Sequence, residues 1–190
     1  MATRTKIVPE DGIVYSFSRN MEPVHQIDLD EVVVVETFNA LHGIVKRESG
    51  RKDELDLRQT NPGTGPIFVR GIYPGDMLGI EIIAIDVDSA GIGLSGDEYR
   101  VIQIEDCLVQ FGSNIEIPIR PHIGVIGLAP ETGSHSCKVP GEHGGNLDTK
   151  EVAPGSTIVL PAHVEGGLLA LGDIHAVMAD GEVNGAVKIP

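Results

Sequence analysis

A mostly β fold, sandwich- or barrel-like with little helix and α+β at most, follows from three observations. Aromatic residues make up 4% of the chain and Trp is absent, so the core is built from Ile, Val and Leu. The β-branched members of that set favour strands. The 24 Gly and 12 Pro read as turns between many short strands, because no segment has the biased composition of a linker. Finally, no window sustains a 3.6-residue period over three turns, which leaves little room for helix. With 190 residues the chain forms one domain over 1–190, or two small β subdomains meeting near residue 120.

The elements follow in order. Residues 32–37 (VVVVET) form a short β-branched run, the pattern of a buried strand. Residues 67–72 predict a second strand, preceded by a loop at 61–66 whose two prolines cannot donate to a ladder. The turn Tyr73-Pro74-Gly75-Asp76 leads into the longest strand signal, 77–88. Its apolar face switches between Ile82 and Ile83, the mark of burial on both faces or of a bulge. Ile115, Ile117 and Ile119 alternate, and Pro118 marks an edge strand. After the strand signal at 123–128 comes a loop of about 28 residues, 129–156, long enough to suggest function. Strand signals at 157–161, 167–171, 174–178 and 183–189 complete the chain.

The formal charge is −14, from 28 acidic residues against 14 Lys and Arg. Such a surface repels phosphate backbones and argues against nucleic-acid binding. The two cysteines, Cys107 and Cys137, lie far apart, which suits free thiols in a reducing compartment. Residues 1–11 show no apolar signal region, and apolar runs are too short to cross a bilayer. A cytoplasmic enzyme or binding protein is expected.

Three segments concentrate polar residues that solvation alone does not explain. In Asp173-Ile174-His175, residues two apart on an extended chain project from one face. A carboxylate and an imidazole suit zinc, and Asp180-Gly181-Glu182 follows closely. Taken alone, Asp-x-His is a weak signal, and its bland reading is a turn Asp beside a hydrogen-bonded surface His; its place between two apolar strands is what points to a metal. In the second segment, Pro140 to Asp148, two adjacent glycines free the backbone, and His143, Asn146 and Asp148 can converge as ligands or substrate donors. The bland alternative is a flexible Gly-rich loop. The third, Gly133-Ser134-His135-Ser136-Cys137, offers a thiol near a histidine, although a nucleophile and its base are normally joined by the fold rather than by adjacency. Individually, His25, His42, His122 and His163 read as structural histidines.

Taken in order, four motifs resemble the acetamidase/formamidase family. They are Asn61-Pro62-Gly63-Thr64-Gly65-Pro66 leading into Tyr73-Pro74-Gly75-Asp76, then Gly124-Val125-Ile126-Gly127-Leu128-Ala129-Pro130. Pro140-Gly141 with His143-Gly144-Gly145-Asn146-Leu147-Asp148 comes next, and Gly172-Asp173-Ile174-His175-Ala176 with Asp180-Gly181-Glu182-Val183 closes the series. The resemblance runs from about residue 10 to the end. It implies hydrolysis of formamide or acetamide to carboxylate and ammonia by metal-activated water, and a homodimer or larger assembly. It also implies a divalent ion held near His143, Asn146, Asp148, Asp173 and His175; zinc is expected from the donor types, with room for calcium as a second ion. Of these, Asp148, Asp173 and His175 are expected to bind the metal, with Asn146 facing the substrate oxygen. His143 or Glu182 then carries the proton to the departing ammonia.

Two departures from the family pattern bear on this reading. The resemblance implies a longer chain, so the family's C-terminal part is expected to be absent or supplied by a second chain. Asn39 stands where the resemblance implies Asp. The rival readings are a Cys137-dependent hydrolase and a catalytically silent or partner-dependent β subunit of a split amidase.

Overall fold

The computed structural model describes residues 4–42, 49–182 and 185–190. Its described residues form 19 short strands and two single 3₁₀ turns, Lys52–Glu54 and Asp180–Glu182. The mostly β expectation holds. The strands divide into several sheets and no barrel closes. The reason lies at the edges. The main sheet ends on Ile115–Pro118 at one side and Pro140–Gly141 at the other. Each terminal strand carries a proline with no N–H to offer a further partner.

From the first edge inward, the main sheet runs through Leu108–Phe111, Glu98–Glu105, Ala90–Ser95 and Ala186–Ile189. Leu169–Met178 follows, then His122–Gly127 and Gly144–Asn146 before the last edge. Its neighbours thus come from both sides of residue 120. The hub is Leu169–Met178. One side of it pairs with His122–Gly127 from Ala170 to His175, whereas the other side changes partner. Leu169 to Gly172 pair with Gly63–Arg70, and Ile174 to Met178 pair with Ala186–Ile189. Asp173 sits at that changeover, with φ of 50°. The sheet therefore forks at Asp173.

Alternation along His122–Gly127 feeds two cores. Ile126 packs into the main cluster with Ile67, Leu128, Leu169 and Ile189. Its neighbour Val125 enters a smaller one with Phe17, Cys137 and Ala170. All six residues of the strand are buried, as a strand covered on both faces requires.

Several element expectations need adjusting. The run at 32–37 yields only Val33–Val35, paired in parallel with Thr5–Ile7, and Val34 is exposed because this ribbon covers one face only. The signal at 77–88 yields Met77–Glu81, paired with Thr157–Pro161. At the switch point Ile82 is buried and Ile83 exposed. The loop 129–156 contains three strands of its own, Ser134–Ser136, Pro140–Gly141 and Gly144–Asn146. The signals at 167–171 and 174–178 are one strand, joined through Asp173. In the last strand, Ala186–Ile189 is regular, and Val183 lies outside the described residues.

Candidate active site

Sheet register assembles the site. His122 pairs with His175, and His175 pairs with Lys188, so three adjacent strands set these side chains in one row. Cross-strand neighbours on one face lie close enough to bond. His122 Nδ1 donates to the Arg120 carbonyl at 3.0 Å, which leaves its Nε2 to accept from His175 Nδ1 at 3.2 Å. That chain assigns the His175 tautomer and turns its Nε2 lone pair toward the fork. Burial lowers the His122 pKa below the ordinary histidine value, which supports its accepting role.

At the fork, Asp173 is wholly buried. Its Oδ1 lies 3.1 Å from His175 Nε2, and both of its oxygens accept from Lys188 Nζ at 3.0 Å. Lys188 Nζ also lies 2.7 Å from His175 Nε2 and 3.1 Å from Glu182 Oε1. Burial alone would raise the Asp173 pKa, but Lys188, through its charge and its hydrogen bonds, holds the carboxyl below the ordinary range. Burial likewise opposes the Lys188 charge, and Asp173 and Glu182 outweigh that penalty, leaving the ammonium more firmly protonated than usual.

Asp148 and Asn146 arrive from the glycine-paired loop. The Gly124 carbonyl accepts from the backbone N–H groups of Leu147 and Asp148 at 2.9 and 3.2 Å, pinning the loop to the sheet. Gly124 itself must lack a side chain. A Cβ there would stand 2.7 Å from the Asp173 carbonyl oxygen and 2.8 Å from Asp148 Oδ1. Asn146 Nδ2 donates to Asp148 Oδ2 at 2.7 Å, and its Oδ1 accepts from Asn61 Nδ2 at 3.0 Å. Asn61 Nδ2 also donates to Asp173 Oδ2 at 2.9 Å. Both Asn61 N–H donors are thereby used, whereas Asn146 keeps one for a ligand.

Asp148 Oδ1 is buried with no hydrogen-bond partner, and it lies 4.0 Å from His175 Nε2. First burial, then the nearby Glu182 and Asp173 carboxylates, push the Asp148 pKa up to about 6. Backbone conformation marks the same place. Asn61, Asp148, Asp173 and Glu182 all have positive φ, between 41° and 57°, a region that residues other than Gly seldom adopt. Strain of this kind collects where a site must be held in a set geometry.

One ligand atom each from Asp148, Asp173 and His175 lie within 4.8 Å of one another. Two carboxylates and an imidazole are a donor set that suits a small divalent ion, and the partnerless Asp148 oxygen is where such an ion gains a bond. The residues fit a metal. The positively charged neighbour already touching two of them is Lys188.

The structure thus joins Asp148, Asp173, His175 and Asn146, with Glu182 reached through Lys188. His143 belongs to different surroundings. Its ring stands edge-on to Phe17 at 5.2 Å between centroids and 4.8 Å from the ring of His135, and its buried Nε2 has no partner. Asn39 accepts at Oδ1 from the Leu41 N–H at 2.9 Å and serves as a turn residue. Sequence reasoning passed over Asn61, His122 and Lys188. Asn61 lies in the Asn-Pro-Gly segment but reads as loop, and the two others become visible only through strand register.

Cys137 is unsuited to the nucleophilic role. It is buried, its Sγ faces the Val14 carbonyl at 3.7 Å, and burial pushes the thiol up to about 12, so the reactive thiolate is suppressed. Cys107 is exposed, and both cysteines are free.

Fold and cluster together define a mostly β protein organised around a buried group of carboxylates, imidazoles and one ammonium. The chain belongs to the acetamidase/formamidase family, whose model matches residues 10–112 and 132–190. Members similar to it act as hydrolases on amides. A candidate formamidase of Schizosaccharomyces pombe is 26% identical over 86% of this chain and 58% of its own length. Among solved structures, an acetamidase from Bacillus halodurans superposes with a TM-score of 0.92 at 34% identity, over 97% of this chain and 66% of that one. A predicted acetamidase/formamidase from Thermoanaerobacter tengcongensis gives 0.93 at 36% identity, over 98% and 66%. The chain spans 58% to 66% of the length of these relatives.

Proposed function

We propose that this chain carries the hydrolytic centre for a small aliphatic amide, formamide or acetamide, releasing carboxylate and ammonia. The observation that carries the reading is the meeting of Asp148, Asp173 and His175, with one buried Asp148 oxygen left free. An amide is a poor electrophile, so its hydrolysis needs a strong nucleophile at neutral pH and a stabilised oxyanion. A divalent ion, zinc by donor type, held by Asp148, Asp173 and His175 supplies an acidified water and a polarised carbonyl when bound.

The remaining work falls to the chain's own groups. The unused N–H of Asn146 donates to the substrate oxygen, an interaction that strengthens as charge develops there. Its orientation is set by Asn61 and Asp148, which hold the rest of its amide. Glu182, partly exposed and paired with Lys188, takes a proton from water and returns it to the leaving ammonia. His122 keeps His175 in the required tautomer. A small substrate, a cytoplasmic setting and an assembly of two or more copies complete the proposal. The cytoplasm is supported by two free cysteines, and no helix among the described residues is long and apolar enough to cross a membrane.

A second reading is favoured by the span of the match, at most 66% of the solved relatives compared above. In it the centre is built here but turns over only together with the part of those relatives that the match does not cover. The test is ammonia release from formamide and acetamide by the purified chain, before and after exhaustive dialysis against a chelator, with metal analysis alongside. Turnover that vanishes with the chelator and returns with zinc supports the first reading. Bound zinc without turnover supports the second, and turnover indifferent to the chelator contradicts the metal role.

A further inference from the structure

Lys188 is the member of the cluster that a metal centre does not call for. Its side chain is 6% exposed, and its ammonium makes close contacts to Asp173, His175 Nε2 and Glu182. An ammonium has three donors and no acceptor, so these three neighbours use its full capacity. Two of them, Asp173 and His175, are also two of the three residues grouped as ligands, and the third, Asp148, is the one left with a free oxygen. A divalent ion bound to Asp173 and His175 would therefore meet a positive charge on the same atoms. Two cations cannot share ligand atoms at such distances in a buried setting without strong repulsion.

We propose that Lys188 is a tethered competitor for the divalent ion, holding Asp173 and His175 together and leaving them for Glu182 when the ion binds. Glu182 already accepts one face of the ammonium at 3.1 Å, and it is the more exposed of the pair. The lysine can thus pivot on an existing contact rather than cross the protein to find a new one. Affinity for the ion is set by a difference: the gain from three ligands minus the loss of the Asp173 and His175 contacts to Lys188. Replacement of that side chain by an uncharged one of similar length removes the loss. This inference rests on the metal reading above, and it adds that the chain tunes its own metal affinity from the neighbouring strand.

Zinc alone is the probe. Its dissociation constant is measured by competition with a chromophoric chelator for the unaltered chain, Lys188→Met and Lys188→Arg. Circular dichroism verifies that each variant is folded. Lys188→Met is expected to bind zinc at least tenfold more tightly than the unaltered chain, and Lys188→Arg, which keeps the charge, no more tightly. Equal or weaker binding by a folded Lys188→Met overturns the inference and leaves the metal reading standing. Absence of zinc binding in both the unaltered chain and Lys188→Met overturns the two together. A second measurement follows lysine Nζ resonances in the unaltered, ¹⁵N-labelled chain. Saturating zinc is expected to shift the Lys188 ammonium signal, assigned by its loss in Lys188→Met, whereas an unmoved signal with zinc bound overturns the inference.

Discussion

At the residue scale the site depends on what Gly124 lacks and on what burial does to two acids. A Cβ at position 124 would sit 2.8 Å from Asp148 Oδ1 and 2.7 Å from the Asp173 carbonyl oxygen, a backbone atom held in the sheet. Gly124→Ala should therefore displace the Asp148 carboxylate and cost about 1–3 kcal/mol, read as a lowered denaturant midpoint together with weakened zinc binding. Asp148 makes a pH prediction. Its folded pKa, about 6, lies above the ordinary 3.8, so the folded state binds the proton more tightly than the unfolded state does. The resulting stabilisation is complete below 3.8 and is lost as pH rises through 6. Relative to Asp148→Asn, which does not titrate, the unaltered chain should lose on the order of 2–3 kcal/mol between pH 4 and pH 7. Parallel stability curves for the two would contradict the assignment. The buried thiol gives a third outcome. With Cys137 pushed up to about 12 and Cys107 exposed, iodoacetamide at pH 8 should label Cys107 alone in the folded protein, as read by peptide mass spectrometry. Labelling at Cys137 would reopen the thiol reading.

At the scale of elements, much was legible because strand chemistry is local. The alternation at 115–119 and the proline within it mark the edge strand Ile115–Pro118, and the run at 157–161 is the strand Thr157–Pro161. The site motifs were legible for the same reason: Asp173 and His175 share one strand, and Asn146 and Asp148 share one loop. What was hidden is register. Nothing local to Lys188 distinguishes it from a surface lysine on an amphipathic strand; only its pairing with His175 places it in the centre. His122 was likewise read as a structural histidine, and its pairing with His175 makes it the group that sets the tautomer. The fork at Asp173 was hidden too, since two apolar runs separated by Gly172 and Asp173 read as two strands. The strand His122–Gly127 offers a test at this scale, because its neighbours Val125 and Ile126 enter different cores. Ile126→Ala should cost about 2–5 kcal/mol through the cavity it leaves, and Val125→Ala should also destabilise from the opposite face. A chemical melt in which either change is silent would contradict burial on both faces.

For the molecule as a whole, the pieces serve one arrangement. The sheet forks at its centre, and the two branches and the pinned loop each deliver polar side chains to the fork. The strand Ala186–Ile189 brings Lys188, the segment ahead of Gly63–Arg70 brings Asn61, and the loop after Gly144–Asn146 brings Asp148. The formal net charge of −14 favours the approach of cations to the molecule. The most direct test of the central claim is a structure determined after zinc soaking at a wavelength where the metal scatters anomalously. The account predicts one strong anomalous peak within bonding distance of Asp148, Asp173 and His175. A peak elsewhere, or zinc absent from these three residues at saturating concentration, would contradict it.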